Sequence, residues 1–265
     1  MKSVLQKIIL SFVLFYFVVA TSIAADLSDI KKRGYINIGV ALGGEPVGFW
    51  DEKNNPIGYD IDFAERLTKA LGVKISLINV HGDARISMLV SGQLDVVVGN
   101  LTVTEGRAKI VDFSDAYFRT GLKIAVQKGS GIKSISDLSG KSVVVGRGTS
   151  GAVFLEQKVP DAKLVYTDKF APDGLLLMRQ GRVDAGIEDG SFIEYMIGKM
   201  DNMELLPGSY ESGDIAVGIK KGQPDLKNWV NQFVAEYISS GDYQKNYKKW
   251  WGADAIPPDL TIPNS

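Results

Sequence analysis

Two adjacent acids, one guanidinium in a hydroxyl-rich turn and one glycine-rich loop carry most of the chemistry this chain can offer. Glu188 and Asp189 stand side by side in Ile187-Glu188-Asp189-Gly190, and Arg107 closes Thr102-Val103-Thr104-Glu105-Gly106-Arg107. The planar fork of an arginine donates two parallel hydrogen bonds to a carboxylate. The plainer roles are a surface arginine at a helix start for Arg107 and a helix N-cap for Asp189. Gly146-Arg147-Gly148-Thr149-Ser150-Gly151 is literally G-x-G-x-x-G, and Asp168 follows near the acidic position of a dinucleotide fingerprint. A lone match of that kind carries little weight. The same physics serves a smaller anion, because backbone N–H groups at a helix N-terminus face outward from such a turn.

What the chain lacks narrows the chemistry further. It has no cysteine and one histidine, His81, which excludes thiolate zinc clusters and cysteine nucleophiles and removes most metal sites. No G-x-S-x-G, H-E-x-x-H or P-loop string occurs. Neither metal nor cofactor is expected. The formal net charge is −1, from 30 basic and 31 acidic residues; without a basic excess, nucleic acid is not an expected partner.

The elements that must position these groups alternate between strand and helix. Stretches 35–41, 74–79 and 94–99 read as strands, and 60–71 and 84–90 as helices. In 60–71 the residues Ile61, Ala64, Leu67 and Leu71 fall on one helical face. Such an order implies a parallel sheet with right-handed crossovers. The pattern recurs with strands at 122–126, 142–145, 163–166 and 183–187 and helices at 151–157, 172–180 and 191–199. A strand at 215–219 and helices at 226–239 and 243–251 follow, and Pro257, Pro258 and Pro263 end regular structure. Two α/β units in one chain leave a cleft between them, a common place for a small-molecule site.

The start of the chain addresses it for export. Lys2 and Lys7 accompany an apolar run of 13 residues at 8–20, and Ser22-Ile23-Ala24 follows. Basic, apolar, then small is the order of a secretory signal peptide, here residues 1–24. A bilayer-spanning helix needs roughly 20 apolar residues, so cleavage between Ala24 and Ala25 is expected to release a soluble periplasmic protein. Its formal charge falls to −3, because Lys2 and Lys7 leave with the peptide. A chain of this size buries enough apolar surface to fold without disulfides.

Gly58-Tyr59-Asp60-Ile61-Asp62-Phe63, with Leu67 and Leu71 behind it, resembles the signature of the family 3 extracellular solute-binding proteins, the polar amino-acid receptors of ABC importers. Thr68 departs from it, since a small residue is usual there. The neighbours strengthen the resemblance: Ser91-Gly92-Gln93-Leu94-Asp95, the Thr102–Arg107 string, Val111-Asp112-Phe113-Ser114, Tyr117 and the closing Tyr247-Lys248-Lys249-Trp250-Trp251-Gly252. The resemblance implies a type II periplasmic-binding-protein fold, α/β and two-lobed, each lobe a mixed sheet flanked by helices. Carried over, lobe 1 is 26–117 plus 214–265 and lobe 2 is 118–213, closing on a ligand around a hinge.

It also implies a ligand set. A free amino acid presents one carboxylate and one ammonium, and each loses hydration when the cleft shuts. Arg107 falls at the family's carboxylate-binding arginine, with Thr102 adding a donor. Asp189 matches the ammonium-binding aspartate. The loop Gly148-Thr149-Ser150 grips the carboxylate from lobe 2. Asn100 either touches the ligand's α-substituents or satisfies its own backbone. The implied partners are a small amino acid and a membrane ABC permease, with the protein itself monomeric.

Ligand identity stays open. Arg85 and Arg147 suit an acidic side chain, whereas Glu45 and Glu188 suit a basic one. Relatives often carry an aromatic or acid before the proline matching Pro46, where this chain has Leu42-Gly43-Gly44, and an aromatic near Gly82. Phe49 and Trp50 are candidates for the missing wall, or else simple packing residues. Some proteins of this fold are periplasmic dehydratases acting on prephenate-like acids, of the cyclohexadienyl or arogenate type. That alternative needs an acid or base in the cleft, and Glu188 is the candidate.

Overall fold

The computed structural model describes residues 26–261, so the signal-peptide reading of residues 1–24 lies outside the described residues. The chain begins with α1 (Leu27–Arg33), capped by Asp26 and Asp29 in a reciprocal box and stopped at Gly34, whose φ of 78° ends the helix in the left-handed region. Then come β1 (Tyr35–Val40), a hairpin of β2 (Phe49–Trp50) and β3 (Pro56–Ile57), α2 (Tyr59–Leu71), β4 (Lys74–Asn79), α3 (Ala84–Val90), β5 (Val96–Val97) and the one-turn α4 (Glu105–Ala108). The 17-residue β6 (Val111–Gln127) leads into β7 (Ser142–Gly146), α5 (Ser150–Lys158), β8 (Lys163–Thr167), α6 (Leu175–Arg179), β9 (Ala185–Asp189), α7 (Gly190–Ile197) and β10 (Met203–Leu205). The return strand β11 (Tyr210–Lys220) and the helices α8 (Pro224–Ser239) and α9 (Asp242–Trp251) complete the order.

The strands hydrogen-bond in the order β4-β1-β5-β11-β6-β9-β7-β8, with β10 on the far half of β6. β1 runs parallel to β4 and β5, and β7 runs parallel to β8 and β9. Between these two parallel triplets lies the antiparallel pair β6/β11, whose register shifts at three places. Apolar packing divides there. One core gathers Ile36, Ile38, Phe63, Leu67, Tyr117 and Phe118 with Ile215, Val217, Val230 and Tyr237. Two others lie mainly between Leu122 and Leu206, around Ile124, Val143, Leu155 and Ile187 and around Phe170, Met178, Phe192 and Ile193, the latter joined by Val47 from the first lobe. The molecule is therefore an α/β protein of two lobes, and the strands that pass from one to the other are β6 and β11.

Several predicted elements change on contact with the rest of the chain. The strand expected at 94–99 is regular only at Val96–Val97 and gives way to a turn at Asn100, which adopts a positive φ of 48°. The helix expected at 172–180 shortens to α6 behind a separate turn at Phe170–Gly174, where Ala171 is extended, as the residue before a proline prefers. The short strands expected at 122–126 and 215–219 are segments of β6 and β11. Alternation is interrupted by Arg119, Thr120 and Gly121, which hides this continuity from a periodicity reading.

The C-terminal aromatics close the first lobe onto the second. Trp251 stacks on Tyr247 and Phe118 at 4.6 and 5.4 Å, and its Nε1 donates to the Ser191 carbonyl at 3.0 Å. Among the described residues no helix is long and apolar enough to cross a membrane.

Candidate functional site

The cleft between the lobes holds a cavity of about 100 Å³, and the groups singled out from sequence converge on it from both sides. Arg107, Thr102, Asn100, Arg85, Thr149, Ser150 and Asp189 all line it. Phe49 does not: its ring packs edge-on against Trp250 at 5.7 Å instead. Trp50 is half exposed, and Glu45 pairs with Lys199 across the cleft edge. The aromatic wall comes instead from Phe170 and Phe192, with Val47 and Ala171 beside them.

Arg107 is presented by α4, which starts at an N-cap where Thr104 Oγ1 accepts from the Arg107 N–H at 3.3 Å. Its Nη1 donates to the Thr102 carbonyl at 2.7 Å and its Nη2 to the Gly148 carbonyl at 3.0 Å. The second bond crosses the cleft. Burial, reinforced by the positive charge of Arg85, pulls the Arg107 pKa down to about 10, so it stays cationic at neutral pH.

The glycine-rich loop faces Arg107 from the second lobe. Gly146 ends β7, and the Thr149 hydroxyl donates to its carbonyl at 2.8 Å while accepting the Ala152 N–H at 3.3 Å, which caps α5. Gly148 has a φ of 69°, and a Cβ there would run into the Asp83 carboxylate of the first lobe. Arg147 turns to the rim, bonded to Asp168 at 3.2 Å and stacked over Tyr166. The acid that a dinucleotide fingerprint would aim at a ribose is thus spent on Arg147, and so small a cavity cannot enclose a dinucleotide.

Asp189 sits where β9 meets α7, and its carboxylate makes no cap bond to that helix. It points into the cleft instead. Asn100 Nδ2 donates to Asp189 Oδ2 at 2.6 Å, while Asn100 Oδ1 is buried with no partner among the described residues. The backbone of Asn100 is pinned twice, its N–H donating to Asp60 Oδ2 at 2.7 Å and its carbonyl accepting from Arg85 Nη1 at 3.1 Å.

Arg85 is buried and spends its donors on main chain: Nε on the Gly82 carbonyl at 3.0 Å and Nη1 on the Gly99 carbonyl at 2.8 Å besides that of Asn100. Burial lowers its pKa, opposed by the acids around it, chiefly Glu188 and Asp189. It braces the loop carrying Asn100 as well as lining the cavity.

Three acids complete the electrostatics, Asp60 and Asp189 buried and Glu188 half-buried. Glu188 Oε2 accepts the Asp189 N–H at 3.1 Å; burial, then the charge of Asp189, pushes the Glu188 pKa up to about 8. Burial also raises Asp189, against the bond from Asn100 and the two arginines. Asp60, the acid of the Gly58–Phe63 string, accepts from Tyr117 Oη at 2.8 Å and from the Asn100 N–H, yet burial lifts it to about 7. Sequence reading used Asp60 only as a motif letter; its place beneath Asn100 is a tertiary fact. His81, Lys169, Phe170 and Phe192 were also missed as lining residues. Only Phe192 had a local signal, one helical turn beyond Asp189.

Comparison with known proteins places this architecture. The pattern of the bacterial extracellular solute-binding proteins, family 3, matches residues 36–253. The L-cystine-binding protein TcyJ of Escherichia coli (strain K12) is 32% identical over 232 residues, covering 86% of each chain. The ABC transporter glutamine-binding protein GlnH of Bacillus subtilis (strain 168) is 32% identical over 229 residues, covering 84% of each. The crystal structure of the ancestral amino acid-binding protein AncCDT-1, a precursor of cyclohexadienyl dehydratase, superposes with a TM-score of 0.79 at 33% identity, over 84% of this chain and 98% of that one.

Proposed function

This chain belongs to the bacterial extracellular solute-binding proteins, family 3, and from that premise we propose that it is an exported receptor which captures a free amino acid between its lobes and passes it to an ABC-type importer. One observation carries the reading: a guanidinium on the first lobe and a carboxylate on the second, Arg107 and Asp189, face the same buried cavity. A zwitterion answers both charges at once, and each charge loses water when the cleft shuts.

In this reading Arg107 and Thr102 take the ligand carboxylate with the Thr149 and Ser150 turn, and Asp189 takes the ammonium beside Asn100. The lobes are 26–117 with 214–265, and 118–213, and they move about β6 and β11. Export through cleavage after Ala24 places the monomeric receptor in the periplasm. No step of capture requires making or breaking a covalent bond.

Titration calorimetry of the chain from Ala25 onward against the twenty protein amino acids and L-cystine tests the reading. One-to-one binding at micromolar or tighter affinity is expected for at least one of them. No binding by any at millimolar concentration would sink it.

A second reading has its own observation. Glu188 is a half-buried carboxyl in the cleft that holds its proton near neutral pH, which is what a general acid needs, and the AncCDT-1 structure is described as that of a precursor of cyclohexadienyl dehydratase. Turnover of prephenate that vanishes in Glu188→Gln would displace the receptor reading.

A further inference from the structure

The size and walls of the cleft restrict what can sit between Arg107 and Asp189. Its volume is about 100 Å³. A dry cavity of about 150 Å³ takes benzene; by that measure the cleft has room for an amino acid the size of alanine, serine or cysteine, and little more.

The lobes also meet closely at two of the lining glycines, Gly44 and Gly82. A Cβ on Gly44 would lie 2.6 Å from Phe192 Cε2 and 3.4 Å from Ala171 Cβ, so the first lobe touches the aromatic wall of the second. Phe192 is itself held edge-on by Phe170 at 6.2 Å and packed in the core around Met178 and Ile193. At the second contact a Cβ on Gly82 would lie 2.7 Å from the Arg147 carbonyl oxygen. At neither glycine do the facing lobes leave room for an added methyl group.

Among the described residues two lining groups lack a partner inside this small space, Asn100 Oδ1 beside Asp189 and the ring of His81. His81 Nε2 is buried with no hydrogen bond among the described residues, and buried polar atoms are seldom left so. Burial, then the charges of Lys169 and Arg85, lowers the His81 pKa and keeps the ring neutral, able to donate or accept.

We propose that the site takes a small amino acid whose side chain ends in a hydroxyl or thiol, with Phe192 limiting its length and His81 Nε2 bonding its terminal atom. The proposal rests on the amino-acid reading of the cleft and narrows it.

Calorimetry of the chain from Ala25 onward with the twenty amino acids and L-cystine, under reducing conditions for L-cysteine, separates the two levels. L-serine or L-cysteine is expected to bind at least tenfold more tightly than L-alanine, L-glutamine, L-glutamate, L-arginine or L-cystine. If any of these five binds within tenfold of the better small ligand, the small polar ligand is overturned while the receptor stands. If nothing binds, both fall. Phe192→Ala is expected to tighten L-glutamine at least fivefold relative to the parent protein, and no gain overturns Phe192 as the limiting wall. His81→Phe is expected to abolish the margin of serine or cysteine over alanine; an unchanged margin removes His81 from the site.

Discussion

Asn100 and Asp189 join the two lobes through one hydrogen bond, 2.6 Å from Nδ2 to Oδ2. The acid that would receive a ligand's ammonium therefore already holds a neutral donor from the opposite wall. Asn100→Gly tests the bond cleanly, because a φ of 48° suits glycine and the backbone need not move. Solution scattering of the variant alone should give a larger radius of gyration than the parent. Superimposable curves would mean the bond does not hold the lobes together.

Removing Arg107 should be far more costly. A ligand carboxylate buried without its guanidinium loses about 2–5 kcal/mol, so Arg107→Ala should weaken binding by at least a factor of thirty or so. Arg107→Lys keeps the charge but not the fork and should recover only part of that loss. Full affinity in the alanine variant, read by calorimetry, would place the carboxylate elsewhere.

Stability should fall as pH rises toward and past neutrality. Glu188, at about 8, and Asp60, at about 7, both hold a proton more tightly folded than unfolded. A carboxyl with a raised folded pKa favours the native state most below its unfolded pKa, and the advantage is lost as pH climbs to the folded value. The window thus runs from about pH 4 to about 8. Melting curves across it should show a declining midpoint, flatter in Glu188→Gln. An equal slope in the two proteins would contradict the burial argument.

Tyr117 supplies one of the two donors to the buried Asp60 carboxyl. Tyr117→Phe keeps the ring that stacks on Phe63 at 4.2 Å and deletes only the hydroxyl. Leaving a buried acceptor short of a partner costs about 1–3 kcal/mol. Denaturant unfolding should report that loss, and a midpoint equal to the parent's would show Asp60 to be satisfied otherwise.

The repeating strand–helix order was legible because burial imposes it locally: the stripe of Ile61, Ala64, Leu67 and Leu71 and the apolar runs of β5 and β7 need no tertiary knowledge. The length of β6 was not, since Arg119 and Thr120 break its alternation and Arg119 is accommodated by distant partners, Asp214 on the paired strand at 2.6 Å and the Asp259 carbonyl at 3.0 Å. The charged groups of the cleft sat in recognisable strings. Its walls did not: Phe170, Phe192 and His81 look like any core or loop residue until the second lobe folds over them. Phe49 misled for the same reason, an aromatic near the right glycines that finds its partner in Trp250, two hundred positions away on the chain.

Trp251 gives the molecule an optical gauge of its own. Its indole is wedged against Tyr247 of the first lobe and Phe118 of the crossing strand β6, and tied to the Ser191 carbonyl of the second lobe, two residues past Asp189. Any swing of one lobe relative to the other stretches that tether and alters the polarity around the ring. The emission of this tryptophan is thus coupled to the jaws of the protein without a dye, and Trp251→Phe should silence whatever part of the signal follows them.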